Sequence, residues 1–436
     1  MEWWITLIII IGLLMAFFLS GMPVAFGFLS LNIIGLLVFM GGIDKLRLLI
    51  PSSFASIGHF ALVVIPLFIL MGEVLFQTGL GKLMVDNVAK WVGRVRGSLS
   101  LVTVTAGTIF AMMSGAGVAG VALFGSTMGP EMESRGYSKE MTYGPILGAA
   151  CLAVMIPPSI LIVVVATISQ QSVGSLLIAA VIPGFIMAGL YAVYFLVRGW
   201  LQPHLAPSFS VPHITWGQRF KALAVISPLI GIIVLVLLII FLGIATPSEA
   251  AAIGVTGAFI LAAAYRKLTW EATRKALLGT IKVTAMVFMI LLSASAFSQL
   301  LAFTGTIREM GMLATSLPVS PILIVVVMQV IMIIMGMFID DFSIIMIATP
   351  IFFPVIRSLG LDPMWFGILM AVNMEMATIT PPFGIFLFAL KGVLPNATMG
   401  DVYRAGIPIF FLVLLLLVLL LFVPSLVTWL PTLMLG

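Results

Sequence analysis

Long stretches of this chain contain no charged residue, and this feature restricts its possible folds more than any other. They are Trp3–Ile43, Gly97–Pro130, Met141–Val197, Ala222–Ser248, Met310–Ile339 and Ala405–Gly436. A helix needs about 20 apolar residues to cross the hydrocarbon core of a membrane, so several stretches are long enough for more than one crossing. Only 8% of the 436 residues are charged, whereas soluble domains carry about 25%. The chain is therefore expected to lie mostly within a lipid bilayer.

The apolar stretches are typical of helices. They are continuous and lack the alternation of apolar and polar residues that marks a transmembrane β-strand. Their combined length predicts about ten to twelve membrane segments, some of them incomplete. We therefore expect an all-α polytopic membrane protein.

One polar region, at residues 201–221, divides the chain. It is rich in proline, glutamine, histidine and serine, a composition typical of a connection outside the membrane. The sequence therefore predicts a first membrane half at residues 1–200, a linker at 201–221 and a second membrane half at 222–436. Within the second half, Thr246-Pro247-Ser248-Glu249 predicts the start of a helix with a capping box.

Each half contains a Pro-Pro pair that ends an apolar segment, Pro157-Pro158 in the first half and Pro381-Pro382 in the second. Proline has no N–H and clashes with the preceding helical turn, so the carbonyls before each pair lose their helical partners. Such backbone persists at membrane depth only where it is buried in protein or lines a polar cavity. Matched interruptions in the two halves point to a transporter binding site. The alternative is a tolerated kink at each pair.

A stretch of small residues precedes each Pro-Pro pair, Ser114–Gly117 in the first half and Ser293–Ser298 in the second. We expect both stretches to interrupt a helix. In the second half, Asp340 and Asp341 end a long uncharged run, and Glu375 comes shortly before Pro381. Ionisable residues at membrane depth are usually functional. An N-cap role for Asp340 is the alternative.

Several other functions are disfavoured by the sequence. Gly79–Leu83 superficially resembles a phosphate-binding loop, but Phe76 and Leu83 replace its first glycine and its magnesium-binding hydroxyl residue, so no ATP hydrolysis is expected. Cys151 is the only cysteine, which excludes an intrachain disulfide and a cysteine-bound redox cofactor. The basic residues lie at the ends of apolar stretches, as in membrane loops next to lipid, so no nucleic acid is expected as a partner.

Enzymatic roles are also disfavoured. Asp340 and Asp341 are adjacent, so on a helix they point about 100° apart and make a poor aspartyl-protease dyad. A proton-pumping respiratory subunit would need a chain of intramembrane Lys, Glu and His residues, which the long spans lack. The sequence therefore predicts a transport protein and not an enzyme.

An ordered set of motifs in this chain resembles the large membrane subunit, of the DctM/SiaM type, of tripartite ATP-independent periplasmic (TRAP) transporters. The motifs are Pro66–Gly72, Ser114-Gly115, Ile156–Ile160, Ile182–Gly184, Ala245–Ala252 and Thr380–Gly384. The resemblance implies an inverted-repeat, elevator-type transporter with two re-entrant helical hairpins and broken helices, located in the bacterial inner membrane. It also implies sodium-coupled import of small organic anions, such as dicarboxylates, sialic acid or other sugar acids.

The resemblance implies two partner proteins. One is a small four-helix membrane subunit of the DctQ/SiaQ type, and the other is a periplasmic solute-binding protein that delivers the substrate. A stand-alone sodium/dicarboxylate symporter with similar hairpins but no binding protein is the alternative. Genes for the two partners beside the gene for this chain would favour the TRAP transporter over the stand-alone symporter.

The resemblance further implies two sodium sites. The first is predicted at Ser114, Gly117, Ala153, Ile156 and Pro157. The second is predicted at Gly336, Ala377, Thr378 and Thr380. With the tip of the second hairpin expected at Ser293–Ser298, substrate contacts are predicted at Ser293, Ser295, Ser298, Asp340 and Asn373. The chain departs from the family at Ala116, where a hydroxyl residue is frequent, and at Ala153 and Ala377, where glycine is common.

Overall fold

The computed structural model describes residues 2–39, 57–58, 60–92, 97–207 and 215–435. Within these ranges the chain is helical and contains no β-strand, which confirms the all-α prediction. Residues 208–214 of the predicted linker lie outside the described residues. The two halves are described in turn.

Nine α-helices precede residue 208 in the described part of the chain. They are α1 (Trp3–Leu19), α2 (Val24–Phe39), α3 (Val64–Gln77), α4 (Leu80–Val92), α5 (Ser98–Ser114), α6 (Gly117–Ser134), α7 (Lys139–Met155), α8 (Ile160–Ile168) and α9 (Val173–Leu201). The side chains of Ser138, Ser159 and Ser172 accept hydrogen bonds from backbone N–H groups in the first turns of α7, α8 and α9. Serine is a favoured N-cap, so the sequence itself fixes where these three helices begin.

Ten α-helices follow residue 214 in the region that the structure describes. They are α10 (Trp216–Phe241), α11 (Pro247–Ala264), α12 (Trp270–Phe303), α13 (Thr306–Ser316), α14 (Pro321–Gly336), α15 (Asp341–Ser358), α16 (Pro363–Ile379), α17 (Ile385–Val393), α18 (Met399–Phe422) and α19 (Ser425–Leu435). The predicted capping box at the start of α11 is confirmed, because Thr246 Oγ1 accepts from the Glu249 N–H and Glu249 Oε2 accepts from the Thr246 N–H.

Seven helical segments of the described chain are long and apolar enough to cross a membrane, counting α7 and α8 as one segment. The bent pair α3 and α4, with an angle of 67° between its members, would make an eighth if it is one span. Six further apolar helices are only 10–17 residues long. The chain is therefore a multi-pass membrane protein. The prediction of ten to twelve membrane segments, some of them incomplete, counted short apolar helices together with full crossings.

The two halves repeat one order of helix lengths around their Pro-Pro pairs. α6 and α7 have 18 and 17 residues, and α15 and α16 have the same two lengths. The short helices α8 and α17, which follow the pairs, have nine residues each. We call α5–α6 the first hairpin and α14–α15 the second hairpin. Each hairpin packs against the long helix that ends at its own Pro-Pro pair, α7 or α16.

The hairpins also connect the two halves to each other. α6 of the first hairpin packs against α17 of the second half, and α15 of the second hairpin packs against α8 of the first half. At Gly117, an added Cβ would collide with the Phe386 ring, so the first hairpin lies directly against α17. The regions around the two Pro-Pro pairs therefore form one packed unit.

The predicted helix interruption at Ser293–Ser298 is wrong, because these residues lie within the continuous helix α12. Serine and alanine are small but do not break a helix, and a serine hydroxyl can bond the carbonyl one turn back. Ser293 and Ser298 do so, to Met289 O at 2.8 Å and Ala294 O at 3.0 Å. The tip of the second hairpin is instead the four-residue segment Met337–Asp340.

Small residues in α12 serve helix packing. The Asn32 Nδ2 group of α2 donates to Ser293 O at 2.9 Å, and the Ser293 hydroxyl also lies 3.1 Å from Ala25 O. Small side chains let membrane helices approach closely enough for such bonds. The Ser/Ala-rich composition of this segment therefore marks a helix contact and not a helix end.

Candidate functional site

The first Pro-Pro pair ends α7 and leaves two carbonyls without their normal helical donors. Pro157 and Pro158 have no N–H for the carbonyls of Ala153 and Val154, four residues earlier. The Ile156 N–H bonds Leu152 O at 2.8 Å and does not replace them. The carbonyl oxygen of Ala153 is therefore released from the helix, at one of the predicted sodium ligands.

A serine compensates the second of these carbonyls. The Ser159 hydroxyl donates to Val154 O, and its oxygen accepts from the Ile162 N–H as the N-cap of α8. Ser159 and Val154 are both buried. One side chain thus bridges the two helices on either side of the first Pro-Pro pair, and it leaves Ala153 as the carbonyl that lacks its donor.

The second Pro-Pro pair has the same effect on α16. Pro381 and Pro382 cannot donate to the carbonyls of Ala377 and Thr378. The Thr380 N–H reaches Ala377 O only at 3.4 Å, which is a long hydrogen bond. The Thr378 hydroxyl donates to Glu375 O at 2.7 Å. Because a hydroxyl oxygen keeps two lone pairs, Thr378 can still offer an oxygen to a cation.

The tip of the first hairpin lies against the first Pro-Pro pair. Gly115 joins α5 to α6 in the left-handed conformation, with φ of 57°, which glycine adopts without strain. A Cβ at Gly115 would lie 2.7 Å from Pro158 O. The helix interruption predicted at Ser114–Gly117 is therefore confirmed, and it brings Gly115 against the carbonyl of Pro158.

The second hairpin approaches the second Pro-Pro pair in a comparable way. Gly336 is the last residue of α14, and a Cβ added there would lie 2.5 Å from Ala377 Cβ and 2.9 Å from Ala377 Cα. Two residues predicted for the second sodium site are thus in direct contact. The backbone of the hairpin tip meets α16 where the Ala377 carbonyl has lost its usual donor.

Two helix ends of like polarity meet at each Pro-Pro pair. The C-termini of α5 and α7 lie at the first pair, and those of α14 and α16 lie at the second. A helix C-terminus carries a partial negative charge and unpaired carbonyls, which favour cations. The N-terminus of α6, which follows the first tip, carries partial positive charge and favours anions, whereas Asp340 and Asp341 already bind two N–H groups at the start of α15. The first pair therefore provides cation-binding and anion-binding groups side by side, and the second pair provides cation-binding groups.

The residues predicted to contact substrate are not brought together in this structure. Ser293 faces α2, as described above, and Ser295 lies half-buried on the same helix. Asn373 on α16 is fully buried and donates to Gln329 Oε1 at 2.8 Å. Asp340 is the N-cap of α15, where it accepts from the Ser343 N–H at 3.3 Å. The N-cap alternative for Asp340 is thus observed, and substrate contact by these residues stays a prediction.

Glu375 is the one carboxylate in the middle of α16. It is fully buried, and neither of its side-chain oxygens has a hydrogen-bond partner among the residues that the structure describes. The backbone carbonyl of Glu375 accepts a hydrogen bond from the Thr378 hydroxyl, and this bond links Glu375 to the second Pro-Pro pair. Across the described ranges, no cluster of three or more His, Cys, Asp or Glu side chains could hold a metal ion. Backbone carbonyls and hydroxyls remain the oxygen groups that the two Pro-Pro pairs themselves present to a cation.

Sequence reasoning missed two contacts at the sites. A Cβ at Gly72 of α3 would lie 2.8 Å from Ser114 O, so this helix supports the first hairpin tip. At the second pair, a Cβ at Gly384 would lie 2.8 Å from Thr378 O. Both glycines belong to motifs that carry the family resemblance, and their place in those motifs is the sequence feature that could have identified these contacts. The contact of Gly72 with Ser114 is set by tertiary packing, whereas the contact of Gly384 with Thr378 is local to the second Pro-Pro pair.

The hairpin tip at Met337–Asp340 could have been located from the chain itself. Gly117, which begins α6, precedes Pro157 by the same number of residues by which Asp341 precedes Pro381. Ser293 is much farther from Pro381 than Ser114 is from Pro157. Equal spacing was therefore a better signal for the second tip than a composition rich in serine.

Comparisons with known proteins agree with this architecture. Residues 11–426 match the family model described as the DctM component of the tripartite ATP-independent periplasmic transporter. A C4-dicarboxylate TRAP transporter large permease protein from Pseudomonas aeruginosa is 32% identical over 393 residues, covering 89% of this chain and 90% of that protein. Its counterpart from Rhodobacter capsulatus is 32% identical over 447 residues, covering 98% and 99%.

A solved structure shares the fold at lower sequence similarity. The crystal structure of the Alcanivorax borkumensis YdaH transporter, reported to have an unusual topology, superposes with a TM-score of 0.61. It is 18% identical and covers 88% of this chain and 89% of that chain. This similarity concerns the fold alone, whereas the match along nearly the whole sequence identifies the family: the chain belongs to the DctM family of TRAP transporter large permeases.

Proposed function

We propose that this permease imports small organic anions by coupling their movement to sodium ions bound at the two Pro-Pro pairs. The observation that carries this proposal is the contact of two helix C-termini at each pair, where proline has removed the donors to Ala153 and Ala377. Sodium is a hard cation that suits carbonyl and hydroxyl oxygens. The ligand types available at both pairs therefore fit sodium.

The first sodium site is proposed among Ser114, Gly117, Ala153, Ile156 and Pro157, and the second among Gly336, Ala377, Thr378 and Thr380. In support, Ala153 and Ala377 belong to right-handed helices, so the change from the family's glycine brings no penalty of positive φ. The absence of a hydroxyl at Ala116 leaves the first site more dependent on backbone oxygens. The second site has two threonine hydroxyls.

The substrate is proposed to be a small carboxylate that binds next to the sodium ions. The N-terminus of α6 offers unpaired N–H groups and partial positive charge, which suit a carboxylate, whereas the start of α15 is already capped by Asp340 and Asp341. The relatives named for C4-dicarboxylates favour this class. A bound sodium ion would strengthen the attraction for the anion, which gives a direct physical basis for coupling.

The transport movement is proposed to be an elevator motion of the packed unit formed by both hairpins and both broken helices. The repeated helix lengths support an inverted repeat with two re-entrant hairpins, because inverted repeats are common in transporters with broken helices. The mutual packing of α6 with α17 and of α15 with α8 supports movement of these elements as one body. The longer helices α10 to α12 would belong to the static part.

We further propose that the permease works in the bacterial inner membrane with a small four-helix membrane subunit and a periplasmic solute-binding protein. Membership of the TRAP large-permease family supports this arrangement. A stand-alone symporter has no comparable support, because the matching family and the two permeases named above are those of tripartite systems.

Sodium binding can be tested on the purified permease. A ligand that binds only the folded state stabilises it by RT ln(1 + [L]/Kd), which is about 2.7 kcal/mol at a hundredfold excess over Kd. We expect sodium chloride to raise the Tm of the permease in detergent. Potassium chloride at equal ionic strength is the control. Equal effects of the two salts would contradict the proposed sites.

A further inference from the structure

A charged cavity lies away from both Pro-Pro pairs, where α7 begins, α9 ends and α18 begins. It has a volume of about 370 Å³ and is lined by the cations Lys139, Arg198 and Arg404 and the carboxylates Glu140 and Asp401, with polar neighbours. With one charge on each of these five groups the cavity has a net charge of +1. An anion with a single negative charge would balance it.

Two of the three cations in this cavity are already paired. Lys139 Nζ lies 2.7 Å from Asp401 Oδ2, and Arg198 forms an ion pair with Glu140. Arg404 is exposed, and among the described residues no carboxylate comes within ion-pair distance of it. The uncompensated charge of the cavity therefore resides on Arg404. The paired Arg198 and Lys139 still have further N–H groups for an acceptor.

An apolar groove of about 500 Å³ continues from this cavity between α9 and α18. It is lined by Leu190, Val193, Tyr194, Val197, Leu201 and Leu412, and it shares Arg198 and Gln202 with the charged cavity. Residues 190–201 of α9 span about 16 Å at 1.5 Å per residue. This length is close to half of the roughly 30 Å hydrocarbon core. The groove therefore has the length of one acyl chain in one leaflet.

Aromatic side chains place the junction of cavity and groove at the membrane surface. Trp200 is 73% exposed next to Leu201, which is 70% exposed. Tyr194 accepts a hydrogen bond from Arg198 Nη1. Tryptophan and tyrosine concentrate at the boundary between headgroups and hydrocarbon. The charged cavity thus lies at headgroup level, with the groove directed toward the acyl chains.

We propose that this cavity and groove together bind one anionic glycerophospholipid. The phosphodiester, with its single negative charge, lies near Arg404, Arg198 and Lys139, and one acyl chain occupies the groove along Val193 and Val197. Basic pockets between membrane helices are suited to anionic headgroups. Because α7 runs from this cavity to Ala153, the bound lipid supports the helix that carries the first proposed sodium site.

The proposal is tested by native mass spectrometry of the full chain in detergent, titrated with phosphatidylglycerol or phosphatidylcholine of the same acyl composition. We expect phosphatidylglycerol to bind about tenfold more tightly, because both lipids carry the phosphodiester but the choline of phosphatidylcholine adds a positive charge next to a cavity that is already positive. Arg404→Gln should remove this preference. Arg274→Gln, which changes an exposed arginine of α12 that has no ion pair among the described residues, should keep it.

The groove is tested with a larger side chain. Val193→Trp should weaken binding of both lipids by filling the groove, whereas Ile260→Trp, at an exposed position of α11, should not. Equal affinity for the two lipids, or no effect of Arg404→Gln, would overturn the proposal. Displacement of phosphatidylglycerol by an equal concentration of inorganic phosphate would identify a free-anion site and overturn it as well. If Val193→Trp leaves lipid binding unchanged but weakens the association of a co-purified membrane protein, the groove is a protein interface and the proposal is overturned.

Discussion

Gly336 at the end of α14 packs directly against Ala377 of α16, so closely that a methyl group at position 336 would lie 2.5 Å from Ala377 Cβ. The contact joins the tip of the second hairpin to the carbonyl that Pro381 deprives of its helical donor. Real Cβ atoms do not approach one another this closely, so any larger residue must displace one of the two helices.

Gly336→Ala should therefore weaken sodium binding at the second site. Overpacking of this kind costs about 1–3 kcal/mol, which corresponds to about a tenfold rise in the half-saturating sodium concentration. Gly231→Ala in α10 is the matched control, because a Cβ there meets nothing within 4 Å. The measurement is the sodium dependence of Tm in detergent, and equal sodium dependence in the two variants would argue against the site.

Thr380→Ala should also weaken sodium binding, because it removes one of the two hydroxyls at the second Pro-Pro pair. Loss of an oxygen bound to a charged group corresponds to about 1.5–3 kcal/mol. Thr380→Ser keeps the hydroxyl and should retain affinity close to that of the natural chain. If Thr380→Ala binds sodium normally in the same titration, Thr380 is not a ligand.

Thr246→Ala should lower stability and leave sodium affinity unchanged. Thr246 is the N-cap of α11 and forms a capping box with Glu249, and loss of such a cap costs about 0.5–2 kcal/mol. The expected result is a lower Tm with the same half-saturating sodium concentration. A large change in sodium affinity would show that α11 is coupled to the ion sites.

Ser159→Ala should destabilise the protein more than Ser172→Ala. Both serines are N-caps, of α8 and α9, but the buried Ser159 hydroxyl also donates to Val154 O. Leaving a buried carbonyl unsatisfied costs a further amount of about 1–3 kcal/mol. The comparison of Tm values separates this contribution from the loss of a cap. Equal losses would mean that the Val154 carbonyl finds another donor.

The revised position of the second tip can be tested by cysteine labelling. Phe338 is 62% exposed between α14 and α15, whereas Ser293 is fully buried in α12. The one natural cysteine, Cys151, is buried and should contribute little background. Phe338→Cys should react with a membrane-impermeant thiol reagent, and sodium should change its rate. Rapid labelling of Ser293→Cys would instead support the original placement of the tip.

Local chemistry explains which features could be predicted from the sequence. The two Pro-Pro pairs and the first tip follow from the missing N–H of proline and from the left-handed Gly115, both of which act within a few residues. The capping box at Thr246 is local for the same reason. These features require no knowledge of distant contacts, so the sequence was sufficient to place them.

The features that the sequence did not reveal depend on packing between distant segments. The sequence predicts a helix break at Ser293, but the Ser293 hydroxyl and carbonyl bind α2, more than 250 residues away in the chain. The hydrogen bond from Asn373 to Gln329 on α14 likewise depends on packing between distant segments, and substrate contact by Asn373 stays a prediction. In both cases a polar side chain has a hydrogen-bond partner on another helix, which the sequence alone does not show.

The most direct test of the central claim is substrate uptake by proteoliposomes that contain this permease, its small membrane subunit and its solute-binding protein. A C4-dicarboxylate is the first substrate to try, with the binding protein loaded outside. We predict uptake that requires an inward sodium gradient and stops when sodium is equal on both sides. Uptake driven equally well by a proton gradient in the absence of sodium would contradict sodium coupling at the Pro-Pro pairs.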